Sequence, residues 1–196
     1  MKRVPFKSGV HPFEGKAFSE NEKIIKIEAA PDMVFPMSQH IGAPAVPTVK
    51  IGDRVLVGMK IGEAASFISS PILSSVSGKV KMITDRQPVT GAISKCIIVQ
   101  NDFENECAPG FGEIRDPNAV SNEEIAEIVK QSGIVCMGRS GFPTGVKLAP
   151  KNAEDIDYLI INGAECEPYL TSDYRLMTER TGNIITGVSL ALRLFK

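Results

Sequence analysis

The chain has 196 residues, room for one or two domains, and its 43% hydrophobic and 23% charged residues are those of a globular protein able to bury a core. A formal net charge of −1 leaves no basic surplus to neutralise phosphates, which argues against a nucleic-acid partner. No apolar run reaches the length of a membrane-spanning helix, and Met1-Lys-Arg-Val-Pro-Phe6 has no apolar signal-peptide core, so a cytoplasmic protein without direct membrane insertion is expected.

Residues 1–30 read as an N-terminal arm. It carries Phe6-Lys-Ser-Gly-Val-His11-Pro12-Phe13, then Lys23-Ile-Ile-Lys-Ile-Glu-Ala29, whose alternation fits one strand. His11, ahead of a proline, reads as a loop residue packed against the body. The only other histidine is His40 and no carboxylate cluster accompanies them, so no metal site is assigned.

Residues 31–100 carry short β-like runs punctuated by glycine and proline: Val34–Met37, Thr48–Asp53, Arg54–Gly62, Ser77–Ile83 and Lys95–Gln100. Runs this short, with a turn signal roughly every eight to twelve residues, predict a small β-sandwich or barrel. The Val49–Gly62 stretch is similar to the hairpins of biotinyl/lipoyl carrier domains, with Ser70-Pro71 and Ser75–Val80 supplying the other half. Carrier domains present a lysine at a hairpin tip. Here the expected tip, Ala65–Ser70, has none, and Lys60 falls inside a strand, so the carrier shape is expected without attached chemistry. Within the turn-rich Ser38–Pro47 loop, His40 either reaches a cofactor or partner or is a hydrogen-bonded residue that fixes the turn.

Residues 101–120 are acidic and rich in breakers and read as a linker. A capping box, Ser121-Asn-Glu-Glu124, then opens a helix with Ile125, Ile128 and Val129 on one face and Gly133 as its stop. The four cysteines, Cys96, Cys107, Cys136 and Cys166, form no C-x-x-C pair, so no zinc or iron–sulfur framework is read from them. Cys96 reads as a small buried hydrophobe and Cys107 as an exposed loop residue. Cys166 is open to either a packing or a reactive role.

Four glycines, Gly133, Gly138, Gly141 and Gly145, lie within thirteen positions, and Lys147 closes the run. Glycine lets backbone N–H groups approach a phosphate and permits positive φ, although ordinary turns use the same residues. Tyr158–Ile161 then reads as a buried strand ended by Asn162-Gly163, which delivers polar groups at its C-terminal end, where open α/β sheets bind ligands. A short helix near Asp173–Glu179 and a longer one from about Asn183 close the chain. The apolar stripe of the latter, Ile184, Ile185, Val188, Ala191, Leu192 and Phe195, runs to its last residues, so the second domain is expected to be incomplete.

Gly141-Phe-Pro-Thr-Gly-Val-Lys147 followed by Ile161-Asn-Gly-Ala-Glu-Cys-Glu-Pro-Tyr-Leu-Thr-Ser-Asp173 resembles the flavin- and NADH-binding segment of the C subunit of Rnf-type ion-translocating electron-transport complexes. More distantly, it resembles the flavin subunit of respiratory complex I. Gly9–Pro12 and Ser38–Pro47 match the same family, so the resemblance covers essentially the whole chain. It implies that the backbone of Gly138–Gly141 and Lys147 hold the flavin phosphate and ring, that Asn162 and Glu165 bond or position FMN, and that Glu167 reaches the ribose of NAD(H). An ammonium and backbone N–H groups suit a phosphate dianion, and carboxylates suit ribose hydroxyls. Read without the family, Glu165 and Glu167 are a solvated acidic turn. Phe142 either stacks on a cofactor ring or anchors its loop. Arg139 stands where the family commonly has glycine, and either adds charge toward phosphate or obstructs the loop.

The expected fold is thus α+β in two parts. Residues 31–100 form a barrel-sandwich hybrid, and residues 121–196 are the start of an α/β FMN/NADH-binding domain. The candidate cofactor residues are Gly138, Arg139, Gly141, Phe142, Lys147, Asn162, Glu165 and Glu167, with no catalytic side chain and no metal ligand among them. The resemblance implies an electron-input subunit oxidising NADH through FMN. It would work beside membrane and iron–sulfur subunits, peripheral on the inner face of the bacterial membrane. Family [4Fe-4S] clusters sit on C-x-x-C-x-x-C-x-x-x-C-P runs absent here, so clusters are expected only in a longer polypeptide, and the 196-residue chain alone is expected to be inactive. The alternatives are a non-catalytic docking fragment and a soluble flavin/iron–sulfur reductase similar to the cobalamin reductase of bacterial microcompartments.

Overall fold

Four consecutive buried residues, Cys96 to Val99, form the middle of a long strand, and the N-terminal sandwich is built around them. The structure is a computed structural model describing residues 12–88, 91–137 and 141–195. Its strands in chain order are β1 (Asp32–Pro36), β2 (Val46–Pro47), β3 (Arg54–Val55), β4 (Lys60–Glu63), β5 (Ile72–Leu73), β6 (Gly78–Arg86) and β7 (Ser94–Asn101). They pair antiparallel in a four-stranded sheet, β1-β7-β6-β3, and a three-stranded sheet, β2-β4-β5.

β7 lies between β1 and β6, so both of its edges are paired, and its β-branched run suits a strand covered on both faces. Phe35, Met37, Val55, Ile61, Ile97 and Val99 interlock as the core of the sandwich. Cys96 is fully buried in β7, a small hydrophobe as read from its neighbours. At Gly78 the chain has φ 153°, and a Cβ would stand 2.0 Å from the Gln100 carbonyl oxygen. Only glycine fits where β6 meets both β3 and β7.

Lys60 opens β4 rather than a tip. Its ammonium donates to Glu63 Oε2 at 2.9 Å and to Gln131 Oε1 at 2.6 Å. The β4–β5 tip is the 64–71 loop, which carries no lysine. Thr48–Asp53, expected as a strand, is largely a turn: Asp53 Oδ2 accepts the Lys50 N–H at 2.9 Å, and Gly52 takes φ 95°. Local carboxylate–backbone bonding overrides the alternating pattern there. Lys23–Ala29 likewise forms no strand; its alternation meets no sheet edge, and Ile25 and Ile27 are exposed.

Part of the 101–120 stretch is stitched to the sandwich. Val57 bridges Cys107, and Arg54 holds Asp102 at 3.0 Å, Glu104 at 3.3 Å and Glu106 at 2.6 Å. The buried Ser77 hydroxyl donates to Asp102 Oδ1 at 2.6 Å. That bond is the main reason the Asp102 carboxyl sits below its ordinary pKa, against the opposing pull of desolvation.

Among the described residues, four α-helices follow: α1 (Asn122–Gln131), α2 (Thr144–Lys147), α3 (Ser172–Glu179) and α4 (Thr181–Leu192). The described chain forms two compact units, one of residues up to Lys26 with Tyr158–Ser189, the other of Ile27–Asp157 with Leu190–Lys196. Within the second, Arg193 donates to the Pro117 carbonyl at 2.6 Å and to Asn122 Oδ1 at 3.1 Å, beside a buried Phe195. Among the described residues, no helix is long and apolar enough to cross a membrane.

The expected buried strand at Tyr158–Ile161 is absent. The segment pairs with no other strand among the described residues, and Tyr158 and Ile160 are each 84% exposed. An apolar β-prone run without a ladder partner leaves its backbone groups to water and stays irregular.

Candidate functional site

The glycine-rich loop is a hairpin hung from α1. Ser121 Oγ accepts the Glu124 N–H at 3.2 Å while Glu124 Oε2 accepts the Ser121 N–H at 2.8 Å, so the capping box read from the sequence forms in full. α1 ends at Gln131, and Gly133 takes φ 66°, the left-handed conformation that stops a helix. The chain then doubles back. Val135 bridges Pro143, the Cys136 N–H donates to the Phe142 carbonyl at 2.9 Å, and the Thr144 N–H donates to the Ile134 carbonyl at 2.9 Å.

Gly141 closes this hairpin at φ 56°, with its N–H taken by the Cys136 carbonyl at 3.0 Å. Its own carbonyl accepts the Ile41 N–H at 3.1 Å, so the loop rests on the Ser38–Ile41 turn of the sandwich. His40 fixes that turn from within. It is buried, with Nδ1 3.0 Å from the Ile41 carbonyl oxygen and Nε2 3.1 Å from the Ser70 backbone nitrogen. Between turn and loop lies a groove of about 480 Å³ lined by Gln39, His40, Ile41, Cys136, Met137 and Gly141. Phe142 is half-buried at the hairpin base, and Lys147, at the end of α2, is exposed. His11, Gly138 and Arg139 lie outside the described residues.

Asn162, Glu165 and Glu167 belong to the other compact unit. Asn162 Oδ1 accepts the Ala164 N–H at 3.0 Å, a local turn that orients the loop. Glu165 caps α3: its carboxylate accepts the Asp173 N–H at 2.8 Å, the Tyr174 N–H at 3.3 Å and the Ser172 hydroxyl at 3.2 Å. Partial desolvation pushes the Glu165 pKa up, but these three donors and the nearby Lys16 ammonium outweigh it, and the group lies below its ordinary value. Glu167 is an exposed carboxylate with its backbone carbonyl tied to Lys16. Both glutamates, Lys16, Cys166 and Glu14 line a cavity of about 260 Å³.

The structure therefore groups Gly141, Phe142 and Lys147 on the hairpin–α2 segment and Asn162, Glu165 and Glu167 on a separate loop. It adds one residue to which no sequence motif points, Lys16. Lys16 lies 149 residues from Glu165, a separation at which no periodicity or local motif connects two positions. Among the described residues, no group of three or more His, Cys, Asp or Glu side chains could hold a metal ion.

Comparison with known proteins gives two consecutive matches. Residues 4–104 match the family model of the RnfC barrel sandwich hybrid domain, and residues 129–196 match the Nuo51 FMN-binding domain. A relative from Clostridium ljungdahlii, the C subunit of a proton-translocating ferredoxin:NAD(+) oxidoreductase complex, is 42% identical over 96% of this chain and 41% of its own length. The C subunit of the Na(+)-translocating ferredoxin:NAD(+) oxidoreductase complex of Acetobacterium woodii is 39% identical over 98% of this chain and 44% of its own. The C subunit of an ion-translocating oxidoreductase complex of Rhodobacter capsulatus is 38% identical over 98% of this chain and 37% of its own. The chain thus spans about two fifths of the length of these curated relatives.

Proposed function

Because the chain belongs to the RnfC family, we propose that it carries the FMN- and NAD(H)-binding segment of an electron-input subunit, working beside membrane and iron–sulfur subunits on the inner face of a bacterial membrane. The observation that carries this reading is the pair of matches in sequence, sandwich first and FMN-binding domain second, over nearly the whole chain.

The residues present suit these cofactors. Lys147 offers an exposed ammonium at the end of the hairpin–α2 segment, the chemistry a phosphate dianion requires. Glu167 offers an exposed carboxylate, which suits ribose hydroxyls. Glu165 is committed to α3, so its part is to hold the loop in shape while Asn162 sets the turn before it. Gly141 supplies the left-handed corner of the hairpin rather than a free N–H donor. Bound FMN would supply the hydride and one-electron chemistry; the side chains supply binding and orientation.

A flavin titration of the full-length protein tests this. Lys147→Met should weaken FMN by about 1.5–3 kcal/mol, roughly ten- to a hundred-fold in Kd, the scale of one charge-assisted phosphate contact. Unchanged affinity would remove Lys147 from the site. Arg139→Gly separates the two roles open to that residue: tighter binding marks obstruction, weaker binding a phosphate contact.

A further inference from the structure

We propose that Lys16 is a positioning residue for the Glu165–Leu170 loop, and that the N-terminal arm is thereby a working part of the nucleotide-binding half. The inference deepens the functional reading above and rests on it for the identity of the ligand. The Lys16 ammonium donates to three backbone carbonyls of that one loop: Glu165 at 3.1 Å, Glu167 at 3.2 Å and Leu170 at 2.8 Å. An ammonium has three donors and no acceptor, so this arrangement uses its full capacity. A trans peptide holds C=O and N–H in opposite directions, so carbonyls drawn to Lys16 turn the N–H groups of Cys166 and Thr171 away from it. The orientation of the loop carrying Glu165 and Glu167 is thus set from one point.

Independent contacts fasten the same segments. The Tyr169 N–H donates to the Glu14 carbonyl at 2.7 Å, and the Tyr169 carbonyl accepts the Ser19 hydroxyl at 3.0 Å. The Thr171 hydroxyl donates to Ser19 Oγ at 2.9 Å. Tyr169 is held at φ 66°, a conformation a bulky residue keeps only where its surroundings compel it. Its ring lies so close over Gly15 that a Cβ there would stand 2.3 Å from two ring carbons, and it packs with Phe13 and Phe18 at centroid distances of 6.2 and 6.3 Å. Further along, the Ile24 N–H donates to the Glu179 carboxylate at 3.1 Å and Arg175 donates to the Glu20 carbonyl at 3.0 Å. From Phe13 to Ile24 the arm is laced to this loop and to α3.

The test compares Lys16→Met and Lys16→Arg with the unsubstituted full-length protein, by amide hydrogen exchange and by steady-state NADH oxidation. Lys16→Met keeps the apolar stem and removes the donors. It should speed exchange across Cys166–Asp173 about ten-fold and raise KM for NADH about ten-fold, while kcat stays within about two-fold. Lys16→Arg, which keeps donors, should recover at least part of both. Unchanged exchange in Lys16→Met, faster exchange with unchanged KM, or no recovery with Lys16→Arg would each overturn the proposal. If the unsubstituted protein neither retains FMN nor oxidises NADH, the functional reading fails by itself, and the exchange comparison still decides whether Lys16 holds the loop.

Discussion

Ile97 and Ile160 are the same residue in the same kind of apolar, β-prone run, and the chain treats them oppositely. Ile97 is fully buried at the centre of β7, while Ile160 is 84% exposed in a segment with no strand partner among the described residues. Composition makes both runs strand-prone; only the first has neighbours. β1 pairs one edge of β7 from Asp32 to Pro36, and β6 pairs the other from Gly78 to Arg86. A strand is therefore a property of the ladder more than of the run, because its hydrogen bonds are all made with other segments.

The sharpest way to break this comparison is a matched pair of truncations. Ile97→Ala should cost about 2–5 kcal/mol in chemical denaturation, since it opens a cavity in a packed core. Ile160→Ala should stay within about 0.5 kcal/mol, as exposed substitutions do. Equal losses at the two positions would mean that the Tyr158–Ile161 run is buried in solution and the contrast is wrong.

The same contrast explains what is legible in the sequence. The sandwich is legible because its signals are short-range: turn residues between short β-like runs, and an apolar run at Cys96–Val99 that the structure buries. The α1 capping box and the Gly133 stop are legible for the same reason, each lying within a few residues of what it controls. The strand expected at Tyr158–Ile161 does not form because periodicity reports what a segment would bury, not whether a partner is there. Lys16 is invisible in the sequence because an ammonium choosing among backbone carbonyls leaves no trace in the residue types it meets.

A second measurement sharpens the comparison inside the better-packed region. The His40 ring bridges the Ile41 carbonyl and the Ser70 backbone, and so ties the turn beneath the glycine loop to the β4–β5 tip. His40→Ala should cost about 1–3 kcal/mol, the penalty for leaving buried backbone groups without partners. It should also loosen the Gly141 contact, seen as faster exchange of the Ile41 amide. A loss no larger than at Ile160 would deny the turn its structural role. Ser121→Ala is expected to cost less, about 1 kcal/mol, because α1 loses one cap bond while Glu124 keeps its own. A thermal-denaturation midpoint unmoved by that change would show that α1 is held by packing alone.

The smallest expected effect is electrostatic and lies in the less regular unit. Glu165 is held below the ordinary glutamate pKa of 4.5 by the Asp173 and Tyr174 N–H groups, the Ser172 hydroxyl and Lys16, against the raising effect of desolvation. A carboxylate whose folded pKa is depressed stabilises the fold above its unfolded value, and that contribution is lost as pH falls through the folded value. The start of α3 should therefore be indifferent to pH near neutrality and loosen only as pH drops below 4.5. The Tyr174 amide resonance, followed by NMR down the acid limb, should shift as its acceptor is protonated. The decisive comparison is with Glu165→Gln, which keeps an acceptor oxygen but no titratable group. That variant should lose the part of the shift that belongs to Glu165. Identical titration curves in the two proteins would mean that the carboxylate does not cap α3 in solution.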